Sequence, residues 1–167
     1  MEKRLGEPLD LRVALVSYFV EVNRKLKNPK IIELKLFEQT QASAYRDELT
    51  GLSNFRFFRE HLVREIQRGE RDNSPLSLVM VDIDNFKAYN DRNGHEVGNQ
   101  ALVSIARLLS EPLRKIDVTA RYGGEEFVLV LPSTSKTGAG QVAERARDRI
   151  EKHPFPGEET QPSGRLT

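Results

Sequence analysis

Two short segments carry the residues best suited to chemistry. The first is Val81-Asp82-Ile83-Asp84-Asn85-Phe86-Lys87, in which a carboxylate ends a strongly apolar run. A carboxylate on a core strand is costly to bury without a cation or hydrogen-bond donors, and strand ends are where α/β sheets place ligands. The second is Arg121-Tyr122-Gly123-Gly124-Glu125-Glu126-Phe127. Its glycines let a substrate approach the backbone closely, and the acidic side chains after them can reach a divalent ion. Each segment alone also has a plain structural reading. Asp84 or Asn85 suits a helix N-cap, and Gly-Gly-Glu-Glu suits a solvated hairpin turn. Together they point further, because neighbouring strands could set Asp82 beside Glu125 or Glu126 as hard oxygen ligands for Mg²⁺. A phosphate-transfer site is the leading inference from these residues.

The elements that must position these groups are read from periodicity. Phe55, Phe58, Leu62 and Ile66 recur at steps of three and four, which predicts a helix ending by Gly69. Leu76 to Val81 is a short apolar run that stops at Asp82, the pattern of a buried central strand. Leu102, Ile105, Leu109 and Leu113 mark a long helix, with His95 in a loop before it. Val118 to Tyr122 and Phe127 to Leu131 read as strands joined at Gly123-Gly124, where paired glycines admit positive φ. Val142, Ala146 and Ile150 mark the last helix, and a polar tail runs from His153 to Arg165, after which either a strand begins or the chain is disordered. The expected class is α/β: a central, mostly antiparallel sheet flanked by helices and preceded by N-terminal helices. Residues 1–46 read as a helix, a break at Asn28-Pro29 and a second helix from Ile31 to Tyr45. Its weak heptad fits either a coiled-coil linker or packing on its own domain.

Composition narrows the function classes. The chain has 167 residues, with 26 Lys and Arg against 25 Asp and Glu for a formal charge of +1. So balanced a chain has no global field for coating DNA or RNA, and any polyanion must be held by a local site. The absence of cysteine excludes disulfides, thiolate zinc and cysteine nucleophiles. His61, His95 and His153 have no second His or Cys at ligand spacing, which argues against zinc. No nucleophile-elbow context surrounds the serines, which argues against a hydrolase triad. The longest apolar stretch, Val13 to Val22, is about half of a bilayer span, so no membrane span and a cytoplasmic location are expected.

Asp47-Glu48-Leu49-Thr50-Gly51-Leu52-Ser53-Asn54, the Val81 to Lys87 segment, Asn90-Asp91, Gly94-His95 and Arg121 to Phe127 fall in the order and spacing of the GGDEF family of diguanylate cyclases. The chain resembles that family from about Ala44 onward, in its GGEEF form. The resemblance implies a fold similar to the adenylyl cyclase catalytic core and polymerase palm, and condensation of two GTP into cyclic di-GMP with release of pyrophosphate. It implies a homodimer, since each protomer holds one GTP and two must face each other. Asp82, the Ile83 carbonyl and Glu125 then correspond to ligands of two Mg²⁺, or Mn²⁺ as the alternative ion, with Glu126 assisting catalysis. Amides of Asn85, Phe86 and Lys87 would cradle the β- and γ-phosphates. Gly123 and Gly124 would lie against the nucleotide, and Asn90 and Asn99 would meet the guanine edge. Arg114 and Asp117 match the family's inhibitory site for cyclic di-GMP, with Arg145 a secondary contributor.

Two departures from the family qualify this. The family usually has aspartate where this chain has Asn99, and an amide offers guanine one acceptor where a carboxylate offers two. The loss of one good pairing corresponds to about 1 to 3 kcal/mol, so a relaxed cyclic dinucleotide synthase making cyclic AMP-GMP is an alternative. Family members also continue past Thr167 into a strand and a helix that contacts triphosphate. The division expected is therefore a helical segment or linker, 1–46, and a cyclase domain, 47–167, short of its last strand and helix. A second class of function follows from that: a catalytically inactive module that binds GTP or cyclic di-GMP and regulates a partner. A third, a helical dimerisation segment joined to an inert domain, leaves the co-occurring motifs unexplained.

Overall fold

The computed structural model describes residues 44–167 and Tyr18. The chain divides into two units, Met1–Ala44 and Tyr45–Thr167. The expected N-terminal helices and the heptad lie outside the described residues, apart from the last positions of the second.

Helix α1, Phe55–Asp72, begins where Asn54 accepts a hydrogen bond from the Phe57 amide at 3.0 Å and ends where Asn73 turns left-handed, φ 46°. It therefore runs one turn beyond Gly69. Strand β1, Leu76–Asp82, is followed by α2, Phe86–Asn93, and α3, His95–Ser110. His95 is thus the first residue of a helix and not part of a loop, and Leu113 lies beyond the helix that was expected to include it. Gly94 makes the corner between α2 and α3 at φ 85° and ψ 155°, a conformation open only to glycine. Strands β2, Val118–Arg121, and β3, Glu126–Pro132, precede α4, Lys136–Lys152, and a 3₁₀ turn at Glu158–Thr160.

The sheet is antiparallel in the order β1-β3-β2. Its central strand is β3, not β1. Alternation along β3 sends Phe127, Leu129 and Leu131 into a core with Ile83, Phe86, Tyr89, Ile105, Leu109 and Ile150. The intervening Val128 and Val130 meet Phe58 and Ala120 on the α1 side. β1 contributes Val79 and Val81 to the first core, while Leu78 and Met80 on its other face are exposed. The expectation of a strand buried on both faces fails there, because a near-continuous apolar run cannot show which alternate positions are covered.

The tail after α4 is neither a strand nor disordered. Phe155 and Leu166 are buried, the Tyr89 hydroxyl donates to the Pro156 carbonyl, and Asn93 Nδ2 donates to Gly157 O and Thr160 Oγ1. The Thr167 carbonyl accepts from the Asp84 amide at 2.8 Å. Apolar anchors at both ends thus fix a segment whose composition reads as polar. No helix among the described residues is long and apolar enough to cross a membrane.

Candidate active site

Asp82 is the last residue of β1 and Glu126 the first of β3, and the strand register pairs them directly. Opposed residues on an antiparallel pair present side chains to the same face, and like charges so placed repel. The pairing therefore costs stability unless a cation sits between them. Glu125 stands one residue before, half-buried, in the turn that joins β2 to β3.

The Gly-Gly turn closes on Glu126, whose carbonyl accepts from the amides of Tyr122 at 2.8 Å and Gly123 at 3.3 Å. A Cβ on Gly123 would stand 2.7 Å from Glu126 Oε2, so this glycine makes room for the carboxylate. Neither Gly123 nor Gly124 has positive φ. The expectation of a left-handed turn is replaced by one of close approach. Around Gly124 no atom lies within 4 Å of where a Cβ would be, which leaves its face open to a ligand.

Two residues to which the sequence reading assigned no role hold this turn. Arg121 donates to the Gly124 carbonyl from Nε at 3.1 Å and Nη2 at 2.7 Å, and from Nη1 to both Asp47 oxygens at 3.2 and 3.3 Å. Asp47 Oδ1 also accepts from the Thr50 amide at 2.8 Å and hydroxyl at 2.6 Å. The Asp47–Asn54 loop is thereby fastened to the turn through one guanidinium whose fork reaches both. A charged residue flanking the glycine pair was the available signal.

Burial alone would raise the Asp47 pKa, but the Thr50 hydrogen bonds and Arg121 outweigh it and hold the carboxyl below its usual 3.8. A depressed folded-state value stabilises the fold fully above the unfolded value and is lost as pH falls through the folded one. Melting temperature is therefore expected to fall on acidification below about pH 4, and Asp47→Asn should flatten that slope in a calorimetric series.

On the other side of Asp82, Ile83 is buried and its carbonyl takes only a long 3.4 Å bond from the Phe86 amide. Asn85 holds φ 54° and ψ 27° at the cap position of α2, with no side-chain cap bond. The amides of Asn85 and Lys87 have no hydrogen-bond partner among the described residues, and unpartnered amides at a helix start suit an anion. Phe86 itself is buried and stacks on Tyr89. Asn90, on α2, lies against Gly98 of α3, its Oδ1 buried without a partner. Asn99 follows Gly98, half-buried.

Arg114 and Asp117 form a closed turn, with the Arg114 amide on Asp117 Oδ2 at 2.8 Å and the Asp117 amide on the Arg114 carbonyl at 3.0 Å. The Arg114 side chain is exposed. Arg145 is exposed on α4, one turn before Arg149, which bridges to Glu111 at 3.2 Å and so joins α4 to the end of α3 that precedes Arg114.

Among the described residues no three His, Cys, Asp or Glu side chains converge to hold a metal ion. Asp82, Glu125 and Glu126 still fit magnesium. Mg²⁺ takes one or two carboxylates and completes its octahedron with water and substrate phosphates, without an all-protein cage. Two hollows flank β1. One of about 430 Å³ is bordered by Asp82, Asp84, Arg147 and Thr167, and one of about 670 Å³, bordered by Leu62, Ile66, Leu76 and Leu78, touches none of the site carboxylates.

A glycine turn, paired strand-end carboxylates and an open helix start stand together at one end of an α/β domain, and comparison places it. Residues 44–167 match the family described as diguanylate cyclase, GGDEF domain. The chain belongs to the GGDEF domain family. It is 42% identical over 141 residues to diguanylate cyclase DgcP of Pseudomonas aeruginosa, covering 84% of this chain and 21% of that protein. It is 40% identical over 156 residues to the response regulator PleD of Caulobacter vibrioides, covering 90% of this chain and 33% of that one. The chain thus spans a fifth to a third of these relatives. Among solved structures it is similar to the coiled coil and GGDEF domain of DgcB from Caulobacter crescentus in complex with c-di-GMP, with TM-score 0.71 and 27% identity over 86% of this chain and 71% of that one. It is also similar to diguanylate cyclase SiaD of P. aeruginosa in complex with its activator SiaC, with TM-score 0.66 and 35% identity over 87% and 59% of the two chains.

Proposed function

We propose that this domain is a nucleotidyltransferase that condenses two GTP into cyclic di-GMP as a homodimer. The observation that carries the reading is the register pairing of Asp82 with Glu126 at the open end of the sheet, beside Gly124. In each half-reaction a ribose 3′ oxygen bonds the α-phosphorus of the facing GTP, the bond to the β-phosphate oxygen breaks, and a proton and pyrophosphate leave. Magnesium held by Asp82, the Ile83 carbonyl and Glu125 would lower the pKa of that hydroxyl and neutralise charge on the α-phosphate. Asn85, Phe86 and Lys87 would hold the β- and γ-phosphates through their amides. Glu126, paired in register with Asp82, would assist catalysis from the same face. Asn90 and Asn99 would orient the base.

Arg114, Asp117 and Arg145 would form a separate site at which cyclic di-GMP inhibits, arginine suiting both phosphate and a guanine edge. Arg114→Ala is expected to raise the cyclic di-GMP concentration for half-inhibition by about tenfold or more, one bidentate contact being lost. A dose series of product against initial rate reads this.

A second reading is favoured by Asn99, whose amide can also serve an adenine edge that both accepts and donates. Incubation with GTP, ATP and an equimolar mixture, with products resolved by mass, separates the two. Cyclic di-GMP alone supports the first reading, cyclic AMP-GMP from the mixture supports the second, and no cyclic dinucleotide from any mixture leaves only the binding module.

A further inference from the structure

Gly98 sits inside α3, where alanine is the better helix former, so something other than helix propensity favours glycine there. A Cβ built at this position collides with Asn90 Oδ1 and stands 2.9 Å from Asn90 Cγ and 3.4 Å from Nδ2. The Asn90 carboxamide thus lies in the space that a side chain at position 98 would fill.

The contact orients the amide. Oδ1, turned to the α3 backbone, is buried without a hydrogen bond, an arrangement that costs stability and does nothing for the fold. Nδ2 is not among the buried unpartnered atoms. The half-buried side chain therefore offers outward its donor end. The corner at Gly94 fixes the geometry between the helices, its amide bonding the Asn90 carbonyl at 2.8 Å and its carbonyl taking the Gly98 amide at 3.2 Å.

We propose that Gly98 is a positioning residue for base recognition: its missing Cβ seats Asn90 so that Nδ2 points as a donor toward an acceptor on a purine edge, beside the amide of Asn99. This rests on the GTP-binding reading above. It adds that a residue touching no ligand sets the nucleobase preference through Asn90.

The test is a double-mutant cycle over Gly98→Ala and Asn90→Ala, with GTP affinity measured by titration calorimetry in Ca²⁺ to suppress turnover. Inorganic tripolyphosphate serves as the base-free probe, and melting temperature is recorded for each variant. Gly98→Ala is expected to weaken GTP binding about tenfold, within the range for one lost base contact, and to leave tripolyphosphate binding unchanged. In the Asn90→Ala background Gly98→Ala should change GTP affinity less than twofold, because the group it displaces is gone. If Gly98→Ala alone fails to fold, the double variant should fold, since the collision is with Asn90. Wild-type GTP affinity in Gly98→Ala, additive losses in the cycle, or a double variant that also fails to fold each overturns the proposal. A wild-type protein that binds tripolyphosphate but shows no preference for GTP over it overturns base recognition while leaving the phosphate site standing, and one that binds neither overturns both.

Discussion

Replacing Glu126 with glutamine is expected to cut cyclic dinucleotide formation by about 10²- to 10³-fold, the scale for removing one charge-stabilising group from a phosphoryl or acyl transfer site. The same change should leave the melting temperature level or slightly raised. The two effects have opposite signs for one reason. Glu126 is paired in register with Asp82 and sits in the space left by Gly123. Without a cation these carboxylates repel, and glutamine removes the repulsion at the same volume. On the proposed reading the cation is held by Asp82 and Glu125 with Glu126 assisting from the same face, and an amide assists a cation less well than a carboxylate. Product formation resolved by mass and a calorimetric melt, run on one preparation, check both. A variant that loses activity by unfolding would show the opposite thermal shift.

Arg121→Ala is the second large effect, expected on stability and activity together. The Arg121 and Asp47 side chains are only 17% and 21% exposed, so the pair is screened less than a surface bridge. Removing the guanidinium leaves Asp47 partly buried with only Thr50, at a cost of about 1 to 3 kcal/mol, between the surface and buried limits. It also frees the Gly124 carbonyl, which takes two of the guanidinium's bonds. Loss of stability should therefore come with at least a tenfold loss of product formation, a displaced turn misplacing the groups it carries. Arg121→Lys separates the parts. An ammonium can keep Asp47 but cannot span Asp47 and Gly124 as the planar fork does. Most stability should return, and little activity.

Much of the end of the fold that carries the candidate site was legible in the residues. The stop of the apolar run at Asp82, the glycine pair and the glutamates after it located the ends of β1 and β3, and the family resemblance supplied their order. Register was not legible, since either Glu125 or Glu126 could face Asp82 until the strands were paired; the structure aligns Glu126. The exposure of Leu78 and Met80 was hidden by hydrophobicity that does not alternate. The tail from His153 was misread because Phe155 and Leu166, too sparse to make a pattern, act through burial. Arg121 and Asp47 lie 74 positions apart, so the charge beside the glycine pair was visible but its partner was not. The Gly123 role was read as backbone freedom, whereas the structure shows it to be space for a neighbouring carboxylate.

The central claim is that Asp82 and the Gly-Gly-Glu-Glu turn hold a divalent ion together with a nucleoside triphosphate. Its most direct test is Mn²⁺ binding followed by electron paramagnetic resonance, with and without GTP, in the wild-type protein and in Asp82→Asn and Glu125→Gln. The expected result is tight Mn²⁺ binding only when GTP is present, since the phosphates complete the ligand set, weakened tenfold or more by either substitution. GTP-dependent binding of equal strength in all three proteins would contradict the account.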